Sequence, residues 1–291
     1  MAPSNPIVFS PTDAVHAPGK FRGAVNLTAF AAVHVVAIAA FFGPINAKVV
    51  GIALVSFLIR KFGITGGYHR YLSHRTYKTS RIFQFVLAWI GCSAAQKGPL
   101  WWSSHHRVHH QESDGPRDLH SAVRDGFWWA HVGWVLDSRY DYTDYRVVPD
   151  LARFGELRWL NKNSLIPPML LAAFCLVMGG LPGLLWGFFV STVVLWHTTF
   201  FINSACHLFG RRRFETRDTS RNSAILAILT LGEGWHNNHH YYPSSVAQGF
   251  YWWEVDVTLY ALRILEKCGL VWDLRRPPER VIALGRTKAA T

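Results

Sequence analysis

The ten residues "WWSSHHRVHH", Trp101 to His110, place four imidazoles within six positions of a 291-residue chain. Two further clusters accompany them, "HRYLSH" with His69 and His74 and "HNNHH" with His236, His239 and His240. Neutral imidazole nitrogens in such density are metal ligands before they are anything else. At ~100° per residue, His106, His109 and His110 sit at about 0°, 300° and 40° around a helix, a fan about 100° wide. His105 lies only ~40° from His109, so angle alone does not exclude it. The third cluster repeats the H-x-x-H-H spacing but has Trp235 where His105 stands. The shared spacing marks His106, His109, His110, His236, His239 and His240 as ligands and sets His105 apart. His69 and His74 are five apart, ~140° around a helix. They suit two sides of a dinuclear centre, or a helix that is ending, and Gly63, Gly66 and Gly67 lead us to expect fraying there.

Imidazole suits Zn, Cu, Fe and Ni, whereas Mg and Ca want oxygen. Eight imidazoles are twice what one tetrahedral zinc needs, which points to two ions. A structural zinc pair is the plain alternative; a His-rich pair facing a membrane favours iron and dioxygen. Asn203 and His207 in "NSACH" are four apart, on one helix face. They are either ordinary polar groups at a helix end, or a ninth ligand with Asn203 holding a water on the metal. The four cysteines share no ligand spacing and read as packing residues, unpaired in a reducing cytoplasm.

The elements that must position these groups are apolar. Half of the residues are hydrophobic and only 16 % are charged, against roughly 25 % in soluble domains. Four stretches, near 24–42, 48–67, 164–181 and 184–206, approach the ~20 apolar residues that cross a bilayer. The links "GPIN" and "GGLPG" are short enough to make two transmembrane hairpins. The first 23 residues lack a continuous apolar core, so no cleaved leader is expected. The net charge is +12, and its basic residues are unevenly placed: Lys20 and Arg22 precede the first span, and all but Lys48 of the rest fall in 60–162 and beyond His207. Lys and Arg accumulate in cytoplasmic loops, so both termini and the histidines are expected in the cytoplasm, and nucleic-acid binding is not. The expected fold is all-α: one membrane domain, 1–291, with a helical cytoplasmic cap formed by 68–163 and 207–291. Residues 81–96 and 222–234 read as interfacial helices, 138–150 as loop, and the aromatic run 241–253 as an interface belt.

In "GITGGYHRYLSHRTYK" (63–78), "HRVHH" (106–110), "NSACHLFG" (203–210) and "GEGWHNNHH" (232–240) the chain resembles the membrane-bound acyl desaturases of the stearoyl-CoA Δ9 type, most closely their bacterial branch. The resemblance runs from the first span to Trp253. It implies two iron ions on His69, His74, His106, His109, His110, His207, His236, His239 and His240, with Asn203 reaching a metal through water. Gln96, Trp102 and Thr199 match acyl-tunnel residues, and Phe200 stands where animal members have Trp. His120 and His131 match positions outside the ligand set, as head-group or metal-supporting residues or as surface histidines. His16, His34 and His197 read as structural.

The implied activity is O2-dependent removal of two hydrogens from adjacent methylenes of a saturated acyl chain, giving a cis double bond at Δ9 in a chain carried as CoA thioester or lipid ester. No acid or base is required at the reacting carbons, in keeping with a site almost devoid of carboxylates. No fused cytochrome b5 signature is present, so a separate ferredoxin, rubredoxin or cytochrome b5 is expected to deliver electrons, docking on the basic surface. Animal members contact CoA through Arg-Asp just before the second box; here those positions are Ser104 and His105, and a neighbouring Asn is Lys97. A related diiron hydroxylase is the alternative. A metal transporter would place its ligands at mid-membrane depth instead.

Overall fold

The computed structural model describes residues 20–287; His16 and most of the segment bearing on a leader lie outside them. The described chain is mostly helical, with one two-stranded antiparallel pair, β1 (Lys78–Thr79) and β2 (Val271–Trp272), tying the C-terminal region back beside the first histidine box.

Helix α1 (Lys20–Ala39) runs into a short 3-10 turn and the "GPIN" link, where Asn46 accepts a hydrogen bond from the Val49 amide at 3.0 Å and caps α2 (Ala47–Phe62). Among the described residues, three helical runs are long and apolar enough to cross a membrane: Arg22–Phe42, Ala47–Ser73 and Ile166–Leu208. Their outward faces carry exposed Val35, Leu54, Phe174 and Val177, which a soluble surface of this extent would not tolerate.

The third run covers the two expected stretches near 164–181 and 184–206. Its 43 residues are helical throughout but are broken at Gly180, whose φ of 62° is left-handed, with Pro182 two residues on. Proline cannot continue a helix and glycine alone adopts that backbone cheaply. A Cβ built on Gly187 would lie 3.0 Å from Cys175 Sγ, whereas twelve residues of straight helix span ~18 Å. The chain therefore doubles back: α5 (Ile166–Leu184) packs against the π-helical segment Leu185–Val190 that leads into α6 (Ser191–Asn203).

The second run corrects the expectation of fraying near residue 67. The helix continues as a buried π-helix, Gly63–Ser73. Gly63 is needed for close approach: a Cβ there would meet the Gly91 amide nitrogen at 2.6 Å. The glycines thus let α3 (Arg81–Cys92) lie against the π segment rather than loosening it. Where α2 meets α6, buried Arg60 donates to Thr192 and Ser191 at 2.7 and 2.5 Å, and Lys61 donates to Thr199 at 3.0 Å. Cations within apolar helices persist only when so partnered.

The remaining elements sit at the end of the bundle that carries the histidines. Helix α4 (Pro99–Glu112) packs on the π segment, a series of short turns fills 122–162, and α7 (Ala224–Leu229), α8 (His236–Tyr241) and α9 (Val257–Lys267) follow the long helices. Segment 138–150 is loop apart from a single 3-10 turn at Ser138–Tyr140 and the start of a short helix at Pro149–Ala152. Helix α7 exposes Ile225 and Ile228, and α3 exposes Ile82. In the aromatic run Trp252 is exposed, while Tyr251 is buried and stacked on Trp253. Three cysteines are buried and free; Cys268 is exposed, against the expectation of four packing residues.

Candidate dimetal centre

The nine histidines converge as two groups, each with its ligand atoms within 4.8 Å of one another: His69, His74, His106, His110 and His239 form one, and His109, His207, His236 and His240 the other. The two H-x-x-H-H helices serve them in opposite sense. Helix α4 sends its i, i+4 pair, His106 and His110, to the first group and His109 to the second. Helix α8 sends His236 and His240 to the second and His239 to the first. That division follows from the ~40° between positions i and i+4 and the ~60° of the i+3 position on the other side.

The π-helix accounts for His69 and His74, which share the first group instead of flanking two ions. A π turn closes i to i+5, and the His74 amide donates to the His69 carbonyl at 3.2 Å. One turn thus brings the two rings together edge to face, 4.9 Å apart between centroids and inclined at 79°.

Within the groups the Nε2 atoms face one another. His69 to His239 is 3.0 Å, His74 to His106 2.8 Å, His110 to His239 3.0 Å and His207 to His236 3.1 Å. Two nitrogens ~2.1 Å from one ion at right angles are ~3.0 Å apart, so these are the spacings of neighbouring ligands. His240 provides a second indication. Its Nδ1 donates to Asp218 at 2.7 Å, and its buried Nε2 has no hydrogen-bond partner. Such an atom costs about 1–3 kcal/mol unsatisfied, and a metal ion supplies the missing partner. The residues present fit a metal in each group.

Burial, followed by the neighbouring imidazoles, pushes His74, His106, His110, His236 and His239 well below the ordinary imidazole range. They stay neutral, with a lone pair to give.

Four carboxylates were not legible as part of the site, and they correct the picture of a site almost without acids. The outer Nδ1 of His109 meets Asp118 at 3.0 Å, that of His207 meets Asp114 at 3.3 Å, that of His240 meets Asp218, and that of His69 meets Glu233. Each fixes its ring's tautomer and orientation. Burial opposes the charge on Glu233, yet His69 and Arg70 hold its carboxyl down to about 2; Gln248 donates to the same carboxylate at 2.8 Å. Glu233 stands three residues before His236, a signal that was present in "GEGWH". Asp114, Asp118 and Asp218 had no such marker.

His105 belongs to neither group. Its Nδ1 donates to the Trp101 carbonyl at 2.9 Å and its ring stacks on Trp101 at 4.4 Å; burial pushes it down to about 4. His120 and His131 are both buried rather than on the surface. His120 packs against His109 at 4.2 Å. His131 Nε2 lies 2.9 Å from His197 Nδ1, and His197 Nε2 lies 2.9 Å from His34 Nε2, a chain of three rings joining α1, α6 and the turn Trp129–Gly133.

A mostly apolar cavity of about 490 Å³ reaches the first group. Its wall includes Gln96, Trp102, Thr199, Phe200 and Asn203, together with the first-group histidine His106. Gln96 donates to Thr199 at 3.1 Å, which links this wall to Lys61. Trp102 stacks on His106 at 4.8 Å.

The family profile for fatty acid desaturases matches residues 46–263. Over 224 residues the chain is 40 % identical to an sn-2 palmitoyl-lipid 9-desaturase of Nostoc, covering 75 % of this chain and 78 % of that one. It is 37 % identical over 257 residues to an sn-1 stearoyl-lipid 9-desaturase of Synechocystis, covering 87 % and 80 %. It is 39 % identical over 221 residues to an acyl-CoA 5-desaturase of Anemone leveillei, covering 75 % and 68 %. With apolar helices that fit a membrane and histidine groups that fit metal ions, this chain belongs to the fatty acid desaturase family and is a membrane-bound fatty acyl desaturase.

Proposed function

We propose that the chain is an O2-dependent diiron desaturase that introduces a cis double bond at Δ9 into a saturated acyl chain. The observation that carries this reading is His106: it belongs to the first histidine group and to the wall of the apolar cavity. A methylene pair lying in the cavity is thereby held against the ions. When bound, the iron pair supplies oxygen activation: one O2, two electrons and two protons from outside, and two hydrogens from the methylenes give two waters.

The protein's part is positioning. Trp102 and Phe200 confine the chain and exclude water. The Gln96–Thr199–Lys61 hydrogen bonds fix a further part of the wall. Asp114, Asp118, Asp218 and Glu233 hold their imidazoles with Nδ1 protonated, which leaves Nε2 free to ligate. Asn203, one turn before His207 and on the cavity wall, is assigned to hold a water on the four-histidine group. We assign four membrane crossings in two hairpins, with the reversal at Gly180 closing the second. The basic ends and both histidine groups then face the cytoplasm, where a separate ferredoxin, rubredoxin or cytochrome b5 delivers the electrons.

The test is expression in a host lacking the activity, with fatty acids resolved by lipid class and double-bond position. The expected result is a new Δ9 monoene. A hydroxylated product instead would identify a related oxygenase, and an unchanged profile despite membrane insertion, supplied iron and a competent donor would overturn the reading.

A further inference from the structure

Leu165 and Met169 line the cavity and are also 70 % and 66 % exposed. Ala29 of α1 likewise lines it and is exposed. A side chain that belongs to a cavity wall and to the outer surface marks a place where the wall is open. These three stand on α1 and at the start of α5, so the cavity opens sideways between the two helices. Around the opening the outer surface is apolar: Val25 on α1 and Leu170 and Phe174 on α5 are exposed. Such a rim faces lipid, not water.

The polar end of the cavity has its charge already used. Lys97 is the one Lys, Arg, Asp or Glu on the wall among the described residues. Its ammonium donates to Asp141 at 2.5 Å and lies 4.5 Å from the centre of the Trp101 ring. Asn26 of α1 donates to the same carboxylate at 3.1 Å. The arginines of the adjoining loop are paired locally, Arg139 with Asp137 at 2.7 Å and Arg146 with Asp144 at 3.0 Å. A CoA carrier brings several phosphate charges and is matched by unpaired cations. The ester of a glycerolipid needs only an amide or ammonium hydrogen near its carbonyl.

We propose that the acyl substrate enters sideways from the leaflet on the side of the histidine groups, between α1 and α5, as an ester of a membrane glycerolipid. The ester carbonyl then sits at the Asn26–Lys97–Asp141 rim, and the methylenes run along the wall to His106. This rests on the desaturase reading and names its substrate class.

The test uses the full-length protein in phosphatidylcholine vesicles containing a little phosphatidylcholine with a mid-chain diazirine on one acyl group. Irradiation and peptide mapping read occupancy without turnover or iron. The expected adducts are on Gln96, Trp102 and Thr199, falling severalfold in Met169→Trp and in Leu165→Trp while adducts on the outer faces of α1 and α5 persist. An unchanged unfolding temperature shows that the variants fold. The same acyl group as a CoA thioester, added from water, is expected to label the wall poorly in wild type and severalfold better in Asp141→Asn, where the Lys97 charge is released. Wall labelling by the thioester alone, indifferent to the tryptophans, overturns lateral access but leaves the desaturase reading standing. Wall labelling by neither probe overturns the acyl cavity itself.

Discussion

His109 and His110 are consecutive in the chain, yet their rings, 5.6 Å apart and inclined at 75°, belong to different histidine groups. His109 joins His207, His236 and His240, and His110 joins His69, His74, His106 and His239. The same division separates His239 from His240 on α8. Two helices thus cross-brace the two histidine groups, and each group depends on both.

The groups can be separated by metal analysis. His109→Ala is expected to empty one position and His110→Ala the other, each leaving about half of the bound iron. His106→Ala loses iron from the first group, whereas His105→Ala keeps the full complement because His105 is engaged with Trp101. Equal loss in His105→Ala and His106→Ala, by elemental analysis of purified protein, would sink the division.

Asp218→Asn tests the outer carboxylates. The amide retains the shape but not the charge that holds His240 with Nδ1 protonated. Removing such a partner typically costs ~10–100-fold in metal affinity. Chelator competition should show that loss in the second group alone, and wild-type retention in both groups would remove the role given to Asp218.

Gly63→Ala tests the close approach of the π segment to α3. The added methyl meets the Gly91 and Ile90 backbone as well as Ile90 Cγ2, so repacking must move a helix. Overpacking of this kind costs ~1–3 kcal/mol. A lower unfolding temperature is expected, together with reduced iron in the first group, since His69 and His74 lie on the displaced segment. Normal stability would show that the contact has slack.

Acid stability should carry the signature of His105. Burial holds its folded value down to about 4, while the unfolded ring titrates near ~6.5. Between those values the unfolded state binds the extra proton, so stability is present above ~6.5 and is lost as pH falls towards 4. At ~1.4 kcal/mol per unit the whole window is worth about 3 kcal/mol. His105→Phe, which can still stack on Trp101, should flatten the pH dependence of unfolding by about one proton at constant metal loading. An unaltered slope would contradict the assignment.

The local part of the site was legible because helical spacing is a local property. The repeated H-x-x-H-H marked six histidines that the fold brings into the two groups, since i, i+3 and i+4 are neighbours on any α-helix. His105 was set apart by Trp235 at the matching position rather than by angle. The same rule misjudged His69 and His74. Five residues are ~140° apart in an α-helix, but here Gly63 lets α3 press against a π turn that brings i and i+5 together. Glycines read as loosening the helix instead allow it to pack.

By itself, then, the sequence determined the apolar helices and the histidine spacings. These depend on residues within a turn or two of one another. Only the tertiary structure decided which histidine joins which group, which four carboxylates support them, and where the cavity opens. Asp218 meets His240 across 22 residues, and Lys97 meets Asp141 across 44. Contacts of that range follow from how helices pack, and no periodicity in the chain encodes them.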